Sequence, residues 1–207
     1  MFKTDQVAYW YFRLNGCIAM TNVVIHRDTC GPATEMDVLG VRFPQRQELI
    51  LSGAPMEDDL SVFPQDGKAD IVLAEVKKTL YQVNDTWTDP SKLNLLRMLY
   101  FLGALDQNEV ECAADELRST GKYEKGSVRA RLLAIGERAG DATPEHTEIL
   151  TWDRLLGFIH DRLVEYWKYK RDHDRWDECG KCLYDAAIRN RDSKQAFVDY
   201  VKAHLED

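Results

Sequence analysis

The sequence predicts an α/β fold: a mixed β-sheet flanked by helices, with a helical C-terminal extension. Three observations carry this. Short apolar or alternating runs recur at "CIAMTNVVIH", "EMDVLGVRF", "ADIVLAEV" and "GSVRARLLAIGE", the signature of buried or half-buried strands. Between the third and fourth runs, two segments carry apolar residues at helical spacing. From Thr151 onward there is no proline and the pattern is helical. The order helix, strands, helices, strand, helices assigns a core to 1–150 and an extension packed on it to 151–207.

Each element has a local reason. Thr4 or Asp5 can cap a first helix running to about Asn15, and Gly16 tolerates the positive φ that ends it. Val23, Val24 and Ile25 mark the first strand, and "DTCGPAT" is turn material. In the second strand Met36 and Val38 alternate with Glu35 and Asp37, and Pro44 stops it. Residues 45 to 69, rich in Gly, Pro and acids, read as a long surface connection with one turn of helix. The third strand, "ADIVLAEVKKT", is apolar at its start and charged at its end. Asp89, Pro90 and Ser91 open a helix with Leu93, Leu96, Leu99, Tyr100 and Leu102 on its apolar face. A second helix, "NEVECAADELRSTG", ends at Gly121; the fourth strand and, after a turn around Pro144, a short strand "HTEILTW" follow. Three C-terminal helices are expected: one through about Lys170, one over 174–190 and one after Asp192.

At 207 residues, 44% hydrophobic and 30% charged, the chain suits one domain with an added subdomain. No apolar run approaches transmembrane length and the opening residues lack a signal pattern, so a cytoplasmic protein is expected. Five scattered cysteines, an odd number, suggest reduced thiols. A net charge of -8 argues against nonspecific nucleic-acid binding, although a local basic patch outweighs the total.

On a strand, residues i and i+2 share a face. Glu75 and Lys77 therefore project together, and so do Glu35 and Asp37. If the two strands are neighbours, three carboxylates and one ammonium converge. Carboxylates forced together repel unless a cation compensates, and Mg2+ or Mn2+ suits an all-oxygen donor set. Lys77 could orient a water or stabilise developing charge; acting as a base would require a strongly lowered pKa. The alternative is a strand end entering water with a surface ion pair worth about 0–1 kcal/mol.

"TEMDVLGVRFP" followed by "DIVLAEVKK" resembles the split active-site motif of the PD-(D/E)XK nuclease superfamily, the restriction-endonuclease-like fold. Asp37 matches the first acid, Glu75 the second and Lys77 the lysine. The resemblance covers residues 5 to 104 and the strand at 127 to 136, and Met36 stands where proline is common. Many members carry a metal-binding glutamate on the first helix; the matching region offers Gln6 or Asp5, and Glu35 is expected to serve instead. The resemblance implies Mg2+- or Mn2+-dependent hydrolysis of a nucleic-acid phosphodiester, with DNA expected before RNA. It also implies a role in repair or defence, with a protein partner supplying the targeting. A non-catalytic member of the same fold, binding nucleic acid or protein, is the alternative.

Lys78, Lys92, Arg97, Arg129 and Arg131 flank the core strands and the following helix, and are the candidate nucleic-acid contacts. "EYWKYKRDHDRW" interleaves basic and aromatic residues, which suits either strand binding or an ordinary helix with one solvated face. Cys179 and Cys182, with His173, lack a fourth zinc ligand at a usual spacing and read as small buried residues. His160-Asp161 lacks the partners of a metal phosphohydrolase. No phosphate-binding P-loop, dinucleotide fingerprint or serine nucleophile elbow is present.

Overall fold

The computed structural model describes residues 1–53, 55–139, 147–171 and 176–207. The turn expected around Pro144, together with His146 and His173, lies outside the described residues. In chain order the elements are β1 (Phe2–Lys3), α1 (Thr4–Leu14), β2 (Ile18–His26), β3 (Pro32–Arg42), β4 (Ala69–Val76), β5 (Leu80–Tyr81) and α2 (Asp85–Thr88). A 3-10 turn (Pro90–Lys92) precedes α3 (Asn94–Leu102), α4 (Val110–Thr120), β6 (Lys122–Lys125), β7 (Val128–Gly136) and β8 (Arg138–Ala139). The remainder is β9 (Glu148–Thr151), α5 (Trp152–Glu165), α6 (Trp167–Lys170), α7 (Glu178–Arg189), α8 (Lys194–Ala203) and β10 (Leu205–Glu206).

The main sheet is mixed and open, in the order β2-β3-β4-β7-β6. The β2–β3 and β3–β4 pairs are antiparallel, and β4–β7 is parallel across the helical crossover of α3 and α4. The far edge of β7 is shared: β6 pairs antiparallel with its first half and β9 parallel with its second. Two apolar layers follow from the strand alternation. Val72, Ala74 and Val76 face α1 and the helices α5, α7 and α8. Ile71 and Leu73 face the opposite way, toward α3 and α4. The C-terminal helices thus share one continuous core with α1 and the sheet. Among the described residues no helix is long and apolar enough to cross a membrane.

Several boundaries differ from the sequence reading. The expected long helix through Lys170 is broken at Tyr166, which leaves helical geometry (φ -103, ψ 25) and separates α5 from α6. The helix expected from Asp89 begins instead as the 3-10 turn, because Leu93 adopts φ +55. The connection at 45–69 has no helix among its described residues and is held down rather than free. Asp58, buried within it, accepts from Arg42 and Arg46 at 2.6 Å each, and Val62 and Phe63 enter the core.

Gly40 shows why one position of β3 must stay small. A Cβ there would stand 2.4 Å from Phe12 Cδ1, and Phe12 is itself fully buried on α1. Gly40→Ala is expected to lower stability by about 1–3 kcal/mol, as overpacking of a closed core does, read from the urea midpoint at constant slope.

Candidate active site

The β3–β4 ladder runs from Arg42 opposite Asp70 to Val38 opposite Ala74 and then stops. β4 continues alone against β7, and Lys77 N–H still donates to the Ile135 carbonyl at 2.9 Å. In place of a further backbone bond from β3, the Asp37 carboxylate oxygen Oδ2 accepts the Val76 N–H at 2.7 Å. The strands therefore part at Asp37, and the side chain of Asp37 plugs the opening.

The parting coincides with a backbone irregularity on the neighbouring strand. Asn22 adopts φ +55 in the middle of β2, and the registered pairs skip from Thr21–Val38 to Val23–Met36. A strict two-residue period would place Met36 and Val38 on one face, yet Met36 packs with the α3–α4 layer and Val38 with the α1 layer. The alternation is interrupted between them. Asparagine tolerates the left-handed region, and a β-branched residue does not. Asn22→Val is accordingly expected to cost about 1–2 kcal/mol in a thermal or urea melt, whereas Asn22→Gly is expected to be nearly neutral.

Glu75 is 2% exposed. Both its oxygens are held: Trp87 Nε1 donates to Oε1 and Asn84 Nδ2 to Oε2, each at 2.5 Å. These donors come from α2 and the residue before it. Lys77 Nζ lies 3.1 Å from Asp37 Oδ2 and 3.4 Å from Glu75 Oε2, so one ammonium bridges the two carboxylates. Burial, and then the Asp37 charge, push the Glu75 carboxyl above its ordinary pKa, against the pull of Lys77. Burial works against the charge on Lys77, but Glu75 and Asp37 outweigh it and hold its pKa above the ordinary lysine value. Bridging two carboxylates, Lys77 is placed to act through its positive charge.

The backbone after Glu75 is anchored by the C-terminal part of the chain. Trp152 Nε1, at the start of α5, is 3.1 Å from the carbonyls of both Lys77 and Lys78. The Asp207 carboxylate accepts the Lys78 N–H at 2.8 Å. A cleft of about 260 Å³ opens above the bridge, with Lys3, Asp5, Asn22, Asp37, Lys77 and Asp207 on its walls. Of the two candidates on the first helix, it is Asp5 that reaches this cleft, and Asn22 Nδ2 donates to it at 3.1 Å.

The other expected site residues fall elsewhere. Glu35 is exposed and does not join Asp37 and Glu75; the break in alternation beside Asp37 turns it away. This corrects the three-carboxylate expectation, and among the described residues no group of three or more His, Cys, Asp or Glu side chains could hold a metal. Arg129 and Arg131 meet neither water nor phosphate. They are buried on the α1 face of the sheet, where Asp70 accepts from Arg131 Nη2 at 2.8 Å and Arg129 Nε at 3.2 Å. Asp66 and Glu148 complete the network. Lys78 is exposed beside the site, while Lys92 and Arg97 line a separate cleft beyond α2. Cys179 and Cys182 sit in the first turns of α7, partly exposed rather than buried, as free thiols.

Trp87 and Asn84 were not anticipated. The available signal was the lone tryptophan in the polar stretch "QVNDTWTDP", since an indole in such a segment needs both a buried face and an acceptor for its N–H.

The donor set suits a hard divalent cation. Two carboxylates already converge on one cationic centre, and Mg2+ commonly takes one or two carboxylates and completes its shell with water. The ammonium of Lys77 stands between these carboxylates, so a cation bridging both must displace it. Comparison with models of protein families, with curated proteins and with solved structures finds no match.

Proposed function

We propose that the chain has a restriction-endonuclease-like core and is a divalent-metal-dependent nuclease of the cytoplasm that hydrolyses phosphodiester bonds, with DNA as substrate. The observation that carries this reading is the meeting of Asp37, Glu75 and Lys77 where β3 leaves β4. Asp37 and Glu75 would hold Mg2+ or Mn2+. Such a cation, when bound, supplies charge stabilisation at a phosphoryl oxygen and a more acidic water.

The protein's own contributions are distinct. Trp87 and Asn84 fix the Glu75 carboxylate by hydrogen bonds, so it needs no reorganisation to serve as a ligand. Asp37 is oriented by the Val76 N–H. Lys77 carries its positive charge to the cleft and stabilises negative charge developing on the substrate. Trp152 and Asp207 hold the strand end that presents it. A protein partner that supplies targeting, and work in repair or defence, belong to the same proposal by fold-level analogy.

The test is incubation of the purified protein with plasmid and single-stranded DNA in Mg2+, in Mn2+ and in EDTA. Cleavage in either metal and none in EDTA is expected. No cleavage and no metal binding in any condition would favour the non-catalytic reading, a nucleic-acid- or protein-binding member of the fold.

A further inference from the structure

A cleft of about 460 Å³ lies between the β2–β3 turn and the segment leading into α3. In a chain of net charge -8, its walls gather three cations, Arg27, Lys92 and Arg97. The carboxylates near them, Asp28 and Asp85, are both largely exposed. Arg97 is held ready from below: its Nη1 donates to the Lys92 carbonyl at 2.8 Å. Its outer edge presents Nε and Nη2 as a fork, and Asp28 Oδ2 occupies that fork at 3.2 and 2.7 Å. A fork of two parallel donors matches an anionic oxygen pair, of a carboxylate or equally of a phosphate. Asp28 belongs to the turn between two strands, and an exposed ion pair of this kind is cheaply exchanged.

One short element, α2, contributes to both the cleft and the active site. Thr86 is on the cleft wall, and the next residue, Trp87, holds Glu75. A strand with one phosphodiester at Asp37 and Lys77 carries further phosphates along its backbone, and this cleft offers the cations to receive one.

We propose that the Arg27–Lys92–Arg97 cleft binds a backbone phosphate of the nucleic-acid strand, with Asp28 as the internal anion that the phosphate displaces. This rests on the nuclease reading above and extends it, because Asp28 becomes an internal competitor that lowers affinity for the strand.

The experiment measures binding of a labelled oligonucleotide, single-stranded and duplex, by fluorescence anisotropy in EDTA over a range of salt, with inorganic phosphate as competitor. Arg97→Ala is expected to weaken binding and to lower the slope of log Kd against log salt by about one. Arg27→Ala, an exposed position whose loss should not disturb folding, is expected to act in the same direction. Asp28→Asn is expected to tighten binding by roughly two- to fivefold. Unchanged binding in all three variants overturns the proposal, and so does an effect on inorganic phosphate with none on the oligonucleotide. Cleavage by the wild-type protein that depends on Asp37, alongside unchanged binding in these variants, would show that the cleft proposal alone has failed.

Discussion

Asp37→Asn and Lys77→Ala are each expected to lower the rate of phosphodiester cleavage by about 10²–10³-fold, for different reasons. Asp37→Asn removes a charged oxygen donor while retaining a side chain that can still accept the Val76 N–H. Its loss should therefore appear as a demand for far more metal, partly recovered at high Mn2+. Lys77→Ala removes the cation that both carboxylates share in the metal-free protein. Its loss should not be recovered by added metal, because the missing charge acts on the substrate. Initial rates on plasmid DNA across a metal titration separate the two. Equal rates in wild type and either variant would remove that residue from the site.

The largest expected effect on stability lies on the other face of the sheet. Asp70→Ala leaves Arg129 and Arg131, both buried, without their shared carboxylate. Breaking a buried pair from one side costs at most about 3–5 kcal/mol, an upper bound here because Arg129 keeps Asp66 and Arg131 keeps Glu148. Arg129 is then left with Asp66 alone as a hydrogen-bond partner, since its Nη2 is buried without a hydrogen bond among the described residues. Urea unfolding followed by circular dichroism should show a midpoint lowered accordingly. A midpoint equal to wild type would mean that the network contributes nothing.

These two regions show what the sequence could and could not reveal. The Glu75–Lys77 pair was legible because a two-residue period on a strand needs no knowledge of neighbours. Its meeting with Asp37 required that β3 and β4 be adjacent, a condition the sequence could pose but not meet, because the long connection 45–69 lies between them. Glu35 was misplaced by the same rule. The positive φ of Asn22 interrupts the alternation of the strand pair, and nothing in the pattern of β3 itself records that event on β2. Arg129 and Arg131 stand two apart on β7 and so share a face, but their partner Asp70 lies on β4, and only the parallel register brings it beneath them. β6 was missed because "KYEK" buries only Tyr123 and becomes a strand through its pairing with β7. The main strands and amphipathic helices, whose apolar periods are local, were recovered with small shifts at their ends.

The position of Trp87 carries the same lesson for the site. A buried carboxylate needs donors, and the sequence offers many polar residues near Glu75; only the fold of α2 selects Trp87 and Asn84. Their effect is to hold Glu75 in place independently of Lys77. That division of labour leads to an expectation that a surface ion pair would not share.

Calorimetric titration of Mn2+ into the wild-type, Asp37→Asn and Lys77→Ala proteins measures whether these residues share one cation position. Binding is expected to weaken by at least about tenfold in Asp37→Asn and to tighten in Lys77→Ala, where no ammonium competes for the carboxylates. Unchanged Mn2+ affinity in Asp37→Asn, or weaker affinity in Lys77→Ala, would contradict a metal site built from Asp37 and Glu75.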